Sequence, residues 1–369
     1  MSWTEFHAKS EVLAISAMEA LKNRDIPLAN KLYKQAGEFE HLALAQLDIS
    51  KVRTRGITAV SAVALWFKAS EYSLAEKLAH SMLADETIPE FARQDLRNLV
   101  QAIWTECTKK TAGVEFVPGQ VMVSVKGGEV ITGGAPLDLI LDKVQTIQSI
   151  FYRTIEFLNG ISHRRTGRPT KELQDACRPW LFQSIPGSYQ FSVGIQKPVQ
   201  PDFFRDDVEP ERIAEHFLEI VRASSNEDLS VLEKLIPDAS YRNTFLKLAR
   251  NLAPTGKTFD RIEMRSLGDT RPVALGIESR HTINQQLRSK PASTLDADDE
   301  IVELRGTLRA VHLDKDWLEI AIESDAILVS GLEDAVDDVI GPMVNRTVTV
   351  RANKTAANKY KFLDIELGE

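Results

Sequence analysis

The densest group of positively charged side chains in this sequence lies between His163 and Lys171, after a predicted long helix. Arg164, Arg165, Arg168 and Lys171 place four fixed charges within these nine residues. Basic side chains at this density could neutralise roughly two to four phosphates of a nucleic acid, or hold an acidic partner. The alternative is a solvated basic loop with no special role, because runs of like charge usually lie in solvent.

Gly167-Arg168-Pro169 stands inside this basic segment. The tripeptide resembles the core of an AT-hook, a short motif that enters the minor groove of DNA. Thr166 occupies the position at which the hook has an arginine before its glycine. The resemblance therefore implies minor-groove contact by a single hook that departs from the pattern at one residue.

Residues 251–258 have the approximate spacing of a phosphate-binding loop, because they end in Gly256-Lys257-Thr258. Asn251 stands where that loop needs its first glycine. Pro254 also lacks the backbone N–H that the phosphate cradle would use. We therefore exclude a nucleotide-binding loop at this position.

The sequence contains no clear motif for metal binding or for nucleophilic catalysis either. Asp238 and the later Glu263-Met264-Arg265 resemble a metal-dependent nuclease, but that chemistry requires a lysine where Arg265 stands. The seven histidines are scattered, and Cys107 and Cys177 lie far apart, so neither a zinc site nor a disulfide framework is expected. We predict no cofactor and no metal, and an enzyme only if distant residues assemble a site.

The net charge and the composition of individual segments indicate where the protein is located and which partners are not expected to bind it non-specifically. The chain has 45 basic and 53 acidic side chains, a net charge of -8. This balance argues against non-specific binding to nucleic acid or to an anionic membrane, although a net value hides local patches. The first residues show no signal peptide, and no apolar run approaches the ~18 residues of a membrane span. We expect a cytoplasmic protein with no membrane contact.

Residues 1–110 read as helices, because glycine and proline are sparse there and apolar residues recur at helical spacing. Pro27, which follows Asp25, and Pro89 each predict the start of a helix. Trp66 to Met82, with Tyr72 three residues before Ala75, resembles the turn and second helix of a tetratricopeptide repeat. Ala29, Tyr33 and Ala36 repeat the small–large–small pattern, at a spacing longer than the ~34 residues of that family.

The tetratricopeptide resemblance implies stacked helical hairpins with a concave face that binds a peptide or protein. It makes Tyr33, Trp66 and Tyr72 the candidate partner-binding residues. The alternative is a plain helical bundle that serves only for packing, because two repeats are fewer than a free-standing solenoid needs.

Residues 111–288 predict a mixed α+β domain, since strands and helices follow one another without strict alternation. Alternating valines from Val121 to Val125 and the Gly127-Gly128 turn predict a β-hairpin with residues 129–131. A long amphipathic helix is predicted over residues 137–158, and a second strand pair over residues 180–184 and 189–195.

Residues 289–300 are polar, contain a proline and end in acidic residues, so they read as a linker. Residues 301–369 then predict five strands with a short helix between the third and the fourth, an order that resembles an OB barrel. Such barrels often bind single strands through aromatic and basic side chains. Trp317, Tyr360 and Phe362 are the candidate aromatic residues, and the alternative places these rings in the barrel core.

The sequence thus predicts an α+β multidomain protein with a tetratricopeptide-like N-terminus, a mixed α+β middle and a small OB-like C-terminal barrel. This layout resembles a class of bacterial proteins, and the resemblance supplies no activity or site. The leading hypothesis is a non-enzymatic scaffold that engages a protein partner through its helical hairpins, in a bacterial stress or defence setting. The alternative is nucleic-acid binding by residues 163–171, by the barrel (Trp317), or by both.

Overall fold

Capping residues and prolines set the starts of the N-terminal helices. Ser2 and Glu5 form a capping box at the first helix, in which each side chain accepts a hydrogen bond from the other residue's backbone N–H. Asp25 caps the second helix, with Pro27 in its first turn, and Pro89 directly precedes the fifth. These starts agree with those expected from Pro27 and Pro89.

The protein is described by a computed structural model that covers residues 2–23, 25–111, 119–131, 133–183, 189–197, 212–266, 272–289, 300–323, 325–332, 336–356 and 359–368. The chain divides into two compact units. The first, which we call the helical unit, is Met1–Glu115 with Gln183–Pro186, and the second, the mixed unit, is Phe116–Phe182 with Gly187–Glu369. The mixture of helices and strands confirms the predicted α+β class.

Five helices build the helical unit: α1 (Trp3–Lys22), α2 (Ile26–Ala45), α3 (Val52–Lys68), α4 (Tyr72–Leu83) and α5 (Glu90–Thr111). Each packs against the next in sequence, and α3 also packs against α5. Small residues let the helices approach closely. A Cβ atom on Gly37 of α2 would lie only 2.5 Å from Cδ1 of Trp66 on α3, so glycine is required at this contact.

The mixed unit begins with a five-stranded sheet and its covering helices. Its strands are β1 (Val121–Lys126), β2 (Pro179–Gln183), β3 (Tyr189–Ile195), β4 (Arg261–Ser266) and β5 (Val273–Leu275), in the order β2-β3-β1-β4-β5. Its helices are α6 (Leu137–Leu158), α7 (Lys171–Ala176), α8 (Ile213–Ser224), α9 (Leu229–Leu235), α10 (Ala239–Leu252) and α11 (Ile277–Ser289).

The predicted hairpin between Val121–Val125 and residues 129–131 is wrong. β1 pairs antiparallel with two distant strands, through Val123 with Phe191 of β3 and with Met264 of β4. Ile131 forms only an isolated bridge with Gly134. The alternating valines of β1 are buried on one face, and apolar residues of both neighbours complete that face better than a short local hairpin would. The predicted neighbours β2 and β3 do lie side by side.

A closed five-stranded barrel follows, in the part of the chain where alternating apolar and polar residues predict strands. It consists of β6 (Glu300–His312), β7 (Trp317–Ile322), β8 (Asp325–Ser330), β9 (Thr347–Ala356) and β10 (Lys359–Leu367), in the order β10-β8-β7-β6-β9. β8 and β10 are parallel, and the other pairs are antiparallel. A helical turn, Val336–Ile340, lies between the third and fourth strands.

One hydrophobic core runs through the mixed unit and includes residues of the sheet, the helices and the barrel, among them Phe151, Phe217, Leu318 and Val350. Most of the predicted linker 289–300 lies outside the described residues. None of the described helices has both the length and the hydropathy that a bilayer crossing requires.

Candidate functional site

Two arginines of the predicted basic segment contact the barrel of the same chain. Arg164 on the loop after α6 donates from Nε to Oε1 of Glu156 at 3.0 Å, and its Nη2 lies 3.2 Å from Oδ2 of Asp338. Arg165 donates from Nε to the carbonyl oxygen of Leu332 at 3.0 Å and pairs with Asp316. Both positive charges therefore have carboxylate partners within the molecule.

Beneath this loop, Arg153 of α6 is completely buried. Its Nε donates to Oδ2 of Asp338 at 2.7 Å, and its Nη1 lies 3.5 Å from Oε2 of Glu156. Arg153, Glu156, Arg164 and Asp338 form a cluster of two positive and two negative side chains, which we call the Arg153 network. It joins α6 and its following loop to the helical turn of the barrel.

A second cluster, the Arg250 network, joins α10 to the last barrel strand. Arg250 is buried and donates from Nη2 to Oδ1 of Asp364 at 3.0 Å, and Nζ of Lys247 lies 3.7 Å from the same oxygen. Burial alone would raise the pKa of Asp364, but the charges of Arg250 and Lys247 lower it to about 2. Nearby, Arg280 of α11 pairs with Glu366 at 3.2 Å.

Arg168 and Lys171, the other two basic residues of the segment, are exposed. Neither forms an ion pair with a carboxylate of the described residues. Arg168 lines a cleft of about 580 Å³ whose other lining side chains are mostly polar. On one side the cleft is lined by Gln145, Gln148, Ser149 and Tyr152 of α6. Asp337 and Asp338 of the helical turn after β8 also line it.

On the outer surface of the barrel, aromatic, apolar and basic side chains of three adjacent strands lie close together. Leu318 and Ile320 of β7 are buried in the barrel, so alternation places Trp317 on the outside. Trp317 is directly opposite Ser330 of β8, and Ser330 is opposite Lys361 of β10.

A depression of about 440 Å³ lies on this surface, lined by Leu328, Ser330, Gly331, Thr355, Lys359, Tyr360 and Lys361. We call Trp317, Leu328, Ser330, Lys359 and Lys361 the outer barrel face. Of the other candidate rings, Phe362 is buried in the core and Tyr360 packs against it. Phe362 therefore lies in the interior, as the alternative for this ring states, whereas Tyr360 both packs against the core and lines the depression.

The candidate partner-binding residues of the helical unit pack inside it. Tyr33 is 3% exposed beside Ala17 and Ala69, and Trp66 is 6% exposed beside Gly37 and His41. Tyr72 is half-buried against Phe67, with ring centroids 5.8 Å apart. A partner would therefore meet the surface around these rings and not the Tyr33 and Trp66 rings themselves.

Sequence reasoning missed a row of exposed apolar side chains in the helical unit. On α1, Val12, Ile15, Met18 and Leu21 are 64%, 53%, 48% and 41% exposed, and we call these four residues the α1 face. Ala17 of the same helix is completely buried, because small side chains let α1 approach α2. The recurrence of large apolar residues every third position was the available signal.

The residues tested for catalysis have structural partners. Asp238 caps α10 by accepting from the backbone N–H groups of Ser240 and Tyr241, and Glu263 pairs with Lys126 at 2.6 Å. Burial raises the pKa of the Cys177 thiol to about 12, so this thiol stays protonated. Within the described ranges, no three His, Cys, Asp or Glu side chains are grouped so that they could hold a metal ion.

Comparisons with models of protein families, with curated proteins and with solved structures find no match for this chain.

Proposed function

We propose that this protein is a non-enzymatic binding protein whose helical unit engages a protein partner through the α1 face. The observation that carries the proposal is the exposure of four large apolar side chains on one helix. Burying such side chains on association is favourable by about 25 cal/mol per Å² of apolar surface. Exposed apolar side chains that are grouped on a surface, unlike scattered ones, are typical of interaction sites.

The tetratricopeptide-like character of the helical unit is part of this proposal. It is supported by consecutive helix packing, by the contact of α3 with α5, and by the close approach of Gly37 to Trp66. A bacterial stress or defence system remains the setting that we propose for this partner.

Photo-crosslinking in the cells of origin tests the α1 face directly. We expect Ile15→p-benzoylphenylalanine in the full chain to give a covalent adduct with one defined protein on irradiation, because Ile15 lies within the proposed contact. Mass spectrometry of the adduct identifies the partner. Lys31→p-benzoylphenylalanine, at an exposed polar position of α2, is the matched control.

The control should yield only a diffuse background of adducts. Equal labelling from Ile15 and Lys31 would mean that the α1 face is ordinary surface, and the proposal would then fail. A defined adduct from Ile15 alone supports it, whatever the sequence of the captured chain.

A second function has its own supporting observation. We propose as the alternative that the outer barrel face binds single-stranded nucleic acid, because Lys359 and Lys361 line one depression and Trp317 lies on the adjacent strand, opposite Ser330 of that lining. The OB-like interpretation of the barrel belongs to this alternative. Its support is the strand order, the parallel pair of third and fifth strands, and the helical turn before the fourth.

For this alternative, Trp317→Ala should weaken binding of a single-stranded oligonucleotide by about 1–3 kcal/mol, the loss of one base-stacking platform. Lys359→Gln with Lys361→Gln should reduce the slope of log affinity against log salt by about 1.4, since two phosphate contacts are lost. Fluorescence anisotropy with the full chain measures both.

Trp104→Ala, at an exposed tryptophan of α5, and Lys51→Gln are the matched controls and should leave affinity unchanged. Arg164 and Arg165 are left intact, because their substitution would disturb the Arg153 network or its surroundings. An affinity too weak to measure at low salt would rule out the nucleic-acid function.

A further inference from the structure

The exposed side of α1 carries charge at both ends of its apolar centre. Glu11, Ile15, Met18 and Lys22 follow at spacings of four, three and four residues, so they form one line along the helix. Glu11 and Lys22 are both exposed, as are the two apolar residues between them. Val12 and Leu21 flank the line on opposite sides.

This line is complementary to itself when reversed. If two α1 helices pack antiparallel about an axis between Ile15 and Met18, Ile15 of each copy lies opposite Met18 of the other. In the same register, Glu11 lies opposite Lys22, while Val12 and Leu21 lie along the two edges of the contact. A two-fold axis repeats every contact, so the two copies form two oppositely charged pairs around an apolar centre.

The charges also exclude a neighbouring register. An axis through Ile15 would place Glu11 of one copy opposite Glu19 of the other, and Glu19 is exposed as well. Two like-charged pairs would then oppose association. The charges therefore favour the axis between Ile15 and Met18 over the axis through Ile15.

We propose that the occupant of the α1 face is α1 of a second copy of this chain, in an antiparallel two-fold dimer. This inference rests on the proposed function, since it names the partner of the same surface. The line from Glu11 to Lys22 spans roughly 17 Å of a helix that is about 10 Å wide, so its contact area is well below the roughly 800 Å² per partner of a standard interface. The dimer is therefore reversible and forms at high protein concentration.

Charge reversal gives the sharpest test. In Glu11→Lys both ends of the line are positive, and in Lys22→Glu both are negative, so each variant should self-associate about ten-fold more weakly than the wild type. An equimolar mixture of the two variants should associate again, because every Lys then meets a Glu. The double variant E11K/K22E should also recover self-association by itself.

Sedimentation velocity of the full chain over a series of concentrations measures all four samples. Ile15→Glu should abolish the dimer by placing a carboxylate at the apolar centre. Circular dichroism should show the same helix content and unfolding midpoint in every variant, because the changed side chains are exposed.

A wild-type chain that stays monomeric at every concentration would overturn the dimer, as would variant mixtures that fail to associate. These failures are separable from failure of the proposed function. If the Ile15 adduct contains a different protein, the α1 face still binds a partner and only the second copy is excluded. An adduct of two identical chains supports both.

Discussion

Asp364→Ala is expected to lower the free energy of unfolding of the mixed unit by about 3–5 kcal/mol. The carboxylate of Asp364 is the shared partner of Arg250 and Lys247, whose side chains are 1% and 3% exposed. Removing it takes away the carboxylate that these two cations share in a low-dielectric interior. Urea unfolding followed by hydrogen exchange at the amides of β9 and β10 measures the loss.

Acid should remove part of the same stabilisation. The pKa of Asp364 is about 2 in the folded chain, against its usual 3.8, so the unfolded state binds more protons between these values. The contribution, about 2–3 kcal/mol, is complete above about pH 4 and is lost as the pH falls toward 2. The difference between wild type and Asp364→Ala should shrink over that interval.

Glu303→Ala is the matched control for Asp364→Ala. Glu303 on β6 lies 3.7 Å from Arg288, but both side chains are about half exposed. Exposed pairs contribute about 0–1 kcal/mol, so this change should be nearly neutral. A similar loss for the two variants would show that burial does not set the strength of the Arg250 network.

Arg153→Met should destabilise the mixed unit by about 3–5 kcal/mol. Methionine keeps most of the side-chain volume, so the effect reports lost charge rather than a cavity. Glu156 and Asp338 would then share only Arg164 and would repel each other in a buried site. The measurement is urea unfolding with hydrogen exchange at the amides of α6.

Adding Asp338→Asn to Arg153→Met should recover part of the loss, because it removes one of the unpaired negative charges. Arg97→Met on α5 is the control, since its pair with Glu90 is exposed at both ends. If the double variant were as unstable as the sum of its two single changes, Arg153 and Asp338 would not interact energetically.

Local signals predicted the elements well. Prolines and capping residues gave helix starts near Ile26 and Glu90, and alternation gave the five barrel strands. The pairing of β1 with strands distant in sequence could not be predicted. Alternation shows that β1 has a buried face, but it does not show which strands lie beside it. The hairpin prediction failed for that reason.

The candidate surfaces were predicted less completely. Charge density identified Arg164 and Arg165, but two of the carboxylates that they contact, Asp338 and Asp316, lie 174 and 151 residues further along the chain. The acidic residues near the barrel turn were visible in the sequence, yet only the fold brings them to the arginines. For α1, the periodicity was visible in the sequence, but it did not show that the small alanine side chains pack inward and the large apolar ones lie outside.

The distribution of charge between the middle and the barrel has a practical consequence for shortened versions of the protein. The arginines come from residues before the linker, and many of their carboxylate partners come from the last seventy residues. A fragment that stops before residue 300 would expose Arg164, Arg165, Arg250 and Arg280 without these counterions. Such a fragment should adhere to heparin or RNA more strongly than the intact molecule, as an artefact of the cut.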